Sequence, residues 1–388
     1  MSDNIPFELQ VEIMKRLPVK SLIQFRTVSK AWKSMIDSSV FVADYRTQAK
    51  HIFLRYDDIT DLSLRYVSVV DDDTFPRNRV FLTPPRLVTE REYFRILGYS
   101  QGLFCFYPGS LVTGRGMALI WNPSVRKTVE VVVPNVAVGE NYETVVGFGV
   151  CRVTNDPKIV KITHVVSWED IESARCIPWE VEVFTLSTGA WRRLGGNLPR
   201  KLVRFQFNTA FDCCSVVVDG VIYWFATDRN TMNGGSCHLI ISFDITSEQF
   251  GEVNLPNRLA HPTSERWFIL LKLRESLVVV DNVWEDDIRV YDVWMMEGGV
   301  GSKSFTKLST FSCETDDYVT PMVFRKSGEH IIEIVDDQLA HLVAFKPLSK
   351  QIDDLGIEGW FGTFFMHPYI ETLSLLDQPT ARSDSDGD

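Results

Sequence analysis

Groups that could form disulfides or hold a metal are sparse in this sequence. The seven cysteines are odd in number and include no Cys-x-x-Cys, and the seven histidines include no His-x-x-x-His pair. Disulfide frameworks and helical zinc sites depend on such spacings. We therefore expect a reducing compartment, no metal and no cofactor.

Long apolar runs are also missing. No stretch is long enough to span a bilayer, the N-terminus lacks the pattern of a secretory leader, and no Asn-x-Ser/Thr acceptor with an allowed middle residue occurs. These features mark membrane and secreted proteins. We expect no membrane partner and a location in the cytoplasm, the nucleus or both.

Beyond the first fifty residues, Lys and Arg are outnumbered by Asp and Glu. The net charge of the chain is −11. Residues 1–50 hold eight Lys and Arg against five Asp and Glu, which is +3, so the remainder carries −14. A large acidic body repels phosphate backbones, and nucleic acid is therefore not expected as a partner.

The first clear pattern in the sequence is that of a helix near the N-terminus. Leu9, Ile13 and Leu17 recur at steps of four residues, which places them on one face of a helix. Pro6 stands near the start of this helix, where a missing N–H is tolerated, and Pro18 ends it.

Further short helices are predicted after this one. Pro18 can open a second helix over about 19–28, Ser29 is suited to cap a third, and Ser38 or Ser39 could cap a fourth. About forty residues are near the lower limit for an independent core. Some apolar surface should therefore pack on a partner or on the rest of this chain, and composition alone leaves both open.

The order and spacing of apolar and proline positions in this stretch resemble an F-box. The matching positions are Pro6, Leu9, Ile13, Leu17, Pro18, Ser21, Leu22, Phe25, Val28, Trp32 and Phe41. The resemblance implies binding to the Skp adaptor of a cullin–RING ubiquitin ligase. It implies that the helical core and the adaptor surface are formed by Pro6, Leu9, Ile13, Leu17, Pro18, Val19, Leu22, Phe25, Val28 and Trp32.

A DNA-binding helix-turn-helix is the competing interpretation of this mildly basic helical segment. The helix that starts after Ser29 would have to contact base edges. It carries Trp32 and Met35, which are interior residue types. The sequence therefore favours the F-box.

Past the helical segment the apolar period changes to that of strands. Segments such as 62–70 and 80–82 fit strands, and no later stretch shows a long amphipathic helix. A hairpin is predicted between 216–218 and 221–225. The Asp219-Gly220 pair between them favours a two-residue turn with positive φ.

A loose repeat runs through this β region. An aromatic residue in a strand is followed by a turn and a second strand at Trp121, Phe184, Phe243, Tyr291 and Phe345. The intervals of 63, 59, 48 and 54 residues lie near the roughly 50 residues of a kelch-type blade. The repeat and the earlier strands predict a large all-β, propeller-like domain of about six blades, with an irregular β-sandwich as the alternative.

Several motifs in this region are similar, in their order, to the plant F-box-associated domain. They are 98–105, Trp121-Asn122-Pro123-Ser124, Gly147-Phe148-Gly149, 181–184 with Trp191, 219–224 and Phe243-Asp244. Kelch repeats place Gly-Gly pairs at regular positions, whereas the Gly-Gly pairs of this sequence fall in apparent loops. The region is therefore kelch-like but does not consist of true kelch repeats.

One motif has the form of a hydrolase nucleophile elbow. The run from Gly98 to Gly102 fits G-x-S-x-G around Ser100. An elbow needs a strand before the serine and a helix after it. The residues that follow are strand-like and end in Pro108, so a tight turn is the better interpretation. We predict no catalytic residue.

The sequence thus predicts four parts. They are a small all-α F-box at 1–45, a linker at 46–51, a propeller-like domain at 52–375 and a disordered acidic tail at 376–388. The resemblances imply a non-catalytic substrate-recognition subunit of an SCF-type ligase. It would be joined to a cullin through the Skp adaptor, and it would hold an unidentified target protein.

Two alternatives to this function stay open. One is an F-box scaffold that binds the adaptor but drives no degradation. The other is a β-propeller hydrolase or oxidase with a helical appendage, which would need a convergent polar or metal site.

Overall fold

A computed structural model describes most of the chain. The described residues are 5–45, 50–90, 94–108, 114–136, 142–165, 177–195, 198–199, 202–206, 215–228, 237–261, 267–285, 288–298, 303–313 and 318–375. Most of the predicted linker at 46–51 and all of the predicted tail at 376–388 lie outside these residues.

Four short helices form an N-terminal unit, called here the helical module (residues 5–45). They are α1 (Phe7–Met14), α2 (Val19–Phe25), α3 (Lys30–Ile36) and α4 (Ser39–Asp44). The first two helices end earlier than the apolar spacing suggests. Leu17 and Val28 therefore lie in the turns that follow them.

Local signals start each helix of the module. Pro6 and Pro18 hold extended backbone at the N-caps of α1 and α2, with ψ of 143° and 150°. The Ser29 hydroxyl accepts a hydrogen bond from the N–H of Trp32 at the start of α3. Ser38 does the same for α4, so the caps predicted at Ser29 and Ser38 are confirmed.

The described strands form six sheets, each of them one blade of a propeller. Blade 1 holds β1 (His51–Asp57), β2 (Leu64–Val70) and β3 (Arg79–Phe81), and blade 2 holds β4 (Phe94–Ser100), β5 (Leu103–Pro108), β6 (Gly114–Asn122) and β7 (Lys127–Val136). Blade 3 holds β8 (Tyr142–Val150), β9 (Pro157–Val165), β10 (Glu180–Thr185) and β11 (Ala190–Arg193).

Blades 4 to 6 complete the domain. Blade 4 holds β12 (Val203–Phe205), β13 (Ser215–Val218), β14 (Val221–Asp228), β15 (Cys237–Asp244) and β16 (Gln249–Asn254). Blade 5 holds β17 (Trp267–Leu273), β18 (Ser276–Glu285), β19 (Ile288–Glu297) and β20 (Ser304–Cys313). Blade 6 holds β21 (Tyr318–Phe324), β22 (His330–Asp336), β23 (Leu339–Lys346) and β24 (Gln351–Trp360). Two short helices, α5 (Arg86–Glu90) and α6 (Asn257–Ala260), lie in connections between blades.

The last strand closes the ring by joining the first blade. Strand β25 (Phe365–Tyr369) pairs antiparallel with β1, with His51 opposite Tyr369 and Arg55 opposite Phe365. Blade 1 is thus built from both ends of the β domain. Closure of this kind joins the two ends of the ring through main-chain hydrogen bonds within one blade.

Apolar side chains fill the seams between neighbouring blades. Six buried clusters each draw on two adjacent blades, and one of them joins blade 6 to blade 1. Between blades 1 and 2 the ring centroids of Phe53 and Phe104 lie 4.1 Å apart, and Trp121 packs 5.9 Å from Phe104. The closed ring of six blades confirms the propeller prediction and excludes the β-sandwich.

The aromatic repeat seen in the sequence has a structural meaning. Trp121, Phe184, Phe243, Tyr291 and Phe345 lie in β6, β10, β15, β19 and β23. Each of these is the third strand along the four-strand path of its blade, and β13 of blade 4 lies off that path. The predicted hairpin is also confirmed. Asp219 and Gly220 join β13 to β14 with φ of 50° and 73°.

The two ends of the strands define two faces of the propeller. Strand β1 starts at His51 beside the helical module and ends at Asp57, about 20 Å away. We call the end near His51 the module face and the opposite end the far face. No helix in the part of the chain that the structure describes is long and apolar enough to cross a membrane.

Candidate functional site

The helical module has a small core of its own. Met14, Ile36 and Phe41 are buried in it, together with two residues predicted from the sequence for the adaptor site, Val19 and Leu22. Val19 is 1% exposed and Leu22 is fully buried. Neither side chain can reach a partner without unfolding the module, so both support the surface from within.

Another group of predicted residues lies on the surface of the module. Leu9, Ile13 and Val28 are 54%, 51% and 61% exposed, and Pro6 and Pro18 are exposed as well. Leu9 and Ile13 lie one turn apart on the same face of α1. Exposed apolar side chains are costly to hydrate and favour contact with a partner.

Sequence reasoning missed two further exposed apolar residues of the module. Phe7 is 53% exposed and Ile5 is 43% exposed. Phe7 opens α1 directly after Pro6. An apolar residue at the first position of a helix with a proline cap was a signal that could have identified it.

The remaining predicted residues, Leu17, Phe25 and Trp32, are half-buried between core and surface. The ring centroids of Phe25 and Trp32 lie 5.3 Å apart. Trp32 Nε1 donates a hydrogen bond to the side-chain oxygen of Gln10 at 3.1 Å. This contact ties α3 to α1 and fixes the angle at which α1 presents its apolar residues.

A charged pair holds α2 against the end of α3. Arg26 Nη2 donates to Asp37 Oδ2 at 2.9 Å, and Arg26 Nε lies 2.5 Å from Asp37 Oδ1. A hydrogen bond between a guanidinium and a carboxylate is charge-assisted and directional. The pair therefore sets the helix spacing more than it adds to stability.

The module is joined to the propeller by a segment from the other end of the described chain. We call residues 370–375, which follow β25, the strap. The strap residue Leu373 is fully buried in the core of the module. The carboxylate of Glu371 accepts a hydrogen bond from the N–H of Val19 at 3.2 Å. The module thus packs partly on its own chain, one of the two possibilities that composition left open.

Blade 2 holds the strap through the Trp-Asn-Pro-Ser motif. Asn122 is fully buried, and its side-chain amide donates to the carbonyl oxygens of Thr372 at 3.0 Å and Ser374 at 2.7 Å. The Ser124 hydroxyl accepts from the N–H of Thr372 at 3.3 Å. The motif therefore positions the helical module relative to the propeller.

The Gly98–Gly102 motif also contacts the strap. The phenol oxygen of Tyr99 accepts hydrogen bonds from the N–H of Gly102 at 3.1 Å and of Ile370 at 3.0 Å. Burial raises the pKa of Tyr99, so this phenol stays protonated. Gly102 has φ of 83°, and a Cβ there would lie 2.4 Å from a methyl group of Thr372.

Ser100, the serine of the G-x-S-x-G motif, has a structural partner. It lies at the end of β4, and β5 rather than a helix follows the turn. Its hydroxyl accepts a hydrogen bond from the N–H of Val150 at 3.0 Å, and the residue is 5% exposed. The elbow geometry that a nucleophile needs is absent at this serine.

An open cleft of about 720 Å³ lies between α4, the strap and blade 3. Val42 of α4 and residues 153–157 of blade 3 form facing walls. Within the described ranges, no three His, Cys, Asp or Glu side chains are arranged to hold a metal ion.

Two protein-family descriptions match the chain. The F-box domain matches residues 2–43, and the F-box associated beta propeller domain matches residues 90–352. The second match alone covers more than half of the chain.

Individual F-box proteins are also similar to the chain. The chain is 24% identical to F-box protein CPR1 of Arabidopsis thaliana, over 96% of this chain and 89% of that protein. It is 30% identical to the putative F-box protein At1g32420 of Arabidopsis thaliana, over 67% of this chain and 78% of that protein. A solved structure, TolB from Acinetobacter baumannii, is similar at 10% identity, with a TM-score of 0.40 over 83% of this chain and 66% of that chain. That likeness is too distant to support any inference.

Proposed function

The chain belongs to the family of F-box proteins with an F-box-associated β-propeller domain, and we propose from this that it is a substrate-recognition subunit of an SCF-type cullin–RING ubiquitin ligase. In this proposal the helical module binds the Skp adaptor, and through it a cullin. The propeller binds a target protein. The complex acts in the cytoplasm, the nucleus or both.

The apolar surface of the module carries this proposal. Phe7, Leu9 and Ile13 of α1 and Val28 after α2 each expose more than half of their surface. A module of about forty residues that leaves so much apolar surface uncovered favours a protein partner. Pro6 and Pro18, the N-caps of α1 and α2, are exposed as well. Val19 and Leu22 are buried in the core of the module.

We infer that the protein acts by proximity and is not itself catalytic. A target held on the propeller has a raised effective concentration near a ubiquitin-conjugating enzyme carried by the same complex. The strap makes this arrangement stiff, because it is anchored both in the core of the module and on Asn122 of blade 2. No side chain of this chain then needs to contact the reacting atoms.

Co-purification of the full chain with a Skp adaptor tests the adaptor contact. The double variant Leu9→Ala/Ile13→Ala removes exposed side chains and should leave the fold intact. We expect a loss of about 2 kcal/mol or more in binding, roughly 30-fold in affinity. Leu308→Ala, on an exposed leucine of blade 5 that is 44% accessible, should bind like the wild type.

Failure of the intact chain to bind any Skp adaptor would overturn the proposal. Equal affinities of the double variant and the Leu308→Ala control would overturn the assignment of the surface. Turnover of a bound target then separates a receptor from a scaffold that drives no degradation.

A further inference from the structure

An apolar patch lies on the far face of the propeller, away from the helical module. Leu339, Trp360, Phe361 and Leu62 are 45%, 37%, 43% and 73% exposed. We call these four residues the far-face patch. The surface on α1 is assigned above to the adaptor, which leaves this patch without a role.

The four residues are brought together by pairing across the seam between blades 6 and 1. Leu339 and Trp360 are direct cross-strand partners in β23 and β24. The N–H of Phe361 donates to the carbonyl of Gln338 at 3.0 Å. Gly359 forms a bridge with Asp58, which opens the turn that carries Leu62.

Leu62 is held in an unfavourable backbone conformation. Its φ is 55°, in the left-handed region that glycine and asparagine tolerate better than leucine. A leucine that is mostly exposed gains little burial to offset this cost. Strained residues persist where surrounding structure holds them, often at binding surfaces.

Carboxylates surround the patch. Asp336 and Asp337 form the turn that leads to Leu339, and Glu358 stands two residues before Trp360 on β24. All three are exposed. Arg65 lies nearby, but it forms ion pairs with both Asp58 and Asp61 of the turn that carries Leu62. Among the described residues of these turns and strands, carboxylates therefore outnumber cationic side chains.

We propose that the far-face patch docks a basic peptide segment that carries at least one large apolar side chain. Tryptophan and other aromatic residues are enriched at the centres of protein interfaces, and charges at the rim steer a partner of opposite sign. Trp360 and Phe361 receive the apolar side chain. Asp336, Asp337 and Glu358 face lysine or arginine on either side of it.

The proposal rests on the function proposed above and specifies the target chemistry. The patch lies at the opposite end of the strands from the module, so adaptor and target do not compete for space. A lysine-rich segment held there also keeps further lysines of the target near the complex.

Panning a phage-displayed library of random 12-residue peptides on the full chain in complex with a Skp adaptor tests the proposal. We expect enriched peptides to carry net positive charge and a large apolar residue. Binding of the synthesised peptides should weaken at least tenfold in Trp360→Ala and at least threefold in Asp336→Asn/Asp337→Asn. It should also weaken as salt rises from 50 to 500 mM.

Matched controls lie at the module face of the same blades. Leu348→Ala removes a fully exposed apolar side chain from the turn after β23, and Asp73→Asn neutralises an exposed carboxylate in the turn after β2. Each should change peptide affinity less than twofold. Thermal unfolding of every variant shows that the fold is kept.

Several results would overturn the proposal. They are the absence of any enriched peptide, enrichment of acidic or uncharged peptides, and equal losses in Trp360→Ala and Leu348→Ala. Self-association of the wild type that Trp360→Ala abolishes would assign the patch to a second copy instead. Adaptor binding is measured on the same preparations, so failure of the patch is distinguished from failure of the proposed function.

Discussion

The carboxylate of Glu371 accepts a hydrogen bond from the backbone N–H of Val19 at 3.2 Å, joining residues 352 positions apart. Val19 is the first residue of α2, and Pro18 at its N-cap has no side chain that could bond the free N–H groups. The strap supplies the missing acceptor. The start of α2 therefore depends on the end of the β domain.

Loss of this acceptor should loosen the start of α2. In Glu371→Ala we expect hydrogen exchange at the Val19 amide to accelerate about fivefold, equivalent to about 1 kcal/mol. Glu371→Gln keeps an oxygen acceptor and should exchange much more like the wild type. Equal rates in all three proteins would show that the contact does not protect the helix.

Removal of the strap anchor should destabilise the whole protein. Leu373→Ala leaves a cavity in the core of the module, and we expect the free energy of unfolding in urea to fall by about 2–5 kcal/mol. Leu348→Ala, on a leucine outside any core, should change it by about 0.5 kcal/mol or less. A similar small change in both variants would mean that the module is held without the strap.

Two glycines with positive φ form a matched pair for testing contact with the strap. A Cβ at Gly102 would lie 2.4 Å from the Thr372 methyl group and 2.7 Å from the Ile370 carbonyl, whereas nothing lies within 4 Å of one at Gly189. Their φ values are 83° and 64°. Gly102→Ala should therefore be about 1–3 kcal/mol more destabilising than Gly189→Ala. Chemical unfolding of both variants measures this difference. Equal losses of stability in the two variants would show that backbone strain, and not contact with the strap, sets the cost of the substitution.

Glu333 should make stability depend on pH. It is 1% exposed, and burial raises the pKa of its carboxyl from 4.5 to about 7, although the N–H of Gly362 bonds to it. Between these values the folded protein keeps a proton that the unfolded chain has released. The contribution of Glu333 to the free energy of unfolding must therefore fall as pH rises from about 4.5 to about 7.

Glu333→Gln removes this contribution and leaves the others in place. Burial lowers the pKa of His164, His330 and His367 to about 4, which gives the opposite trend in both proteins. The difference between wild type and variant isolates Glu333. Urea unfolding at pH 4.5 and pH 8 should show the wild type losing up to about 3 kcal/mol relative to the variant. If the free energies of unfolding of wild type and Glu333→Gln changed equally with pH, the prediction would be contradicted.

The candidate site was only partly predictable from the sequence. The order and spacing of residues predict Leu9, Ile13 and Leu22 as parts of one site. They do not predict that Leu22 is buried while Leu9 and Ile13 are exposed. Which side of a short helix faces inward depends on the helices packed against it. The Trp-Asn-Pro-Ser motif carries a resemblance that is visible in the sequence, but the contact of its Asn122 with Thr372 depends on the fold.

The sequence by itself determined the local structure of this protein. Ser29 and Ser38 cap their helices and Asp219 and Gly220 make their turn, because each of these features depends on residues within a few positions of one another. The aromatic repeat marks one strand in each of five blades, because it recurs about once per blade. Only the tertiary structure decided how β25 closes blade 1, how Leu373 enters the helical module and how Asp58, in the turn that carries Leu62, pairs with Gly359 beside Trp360. These contacts join residues hundreds of positions apart, and chain closure leaves no periodic signal in the sequence between them.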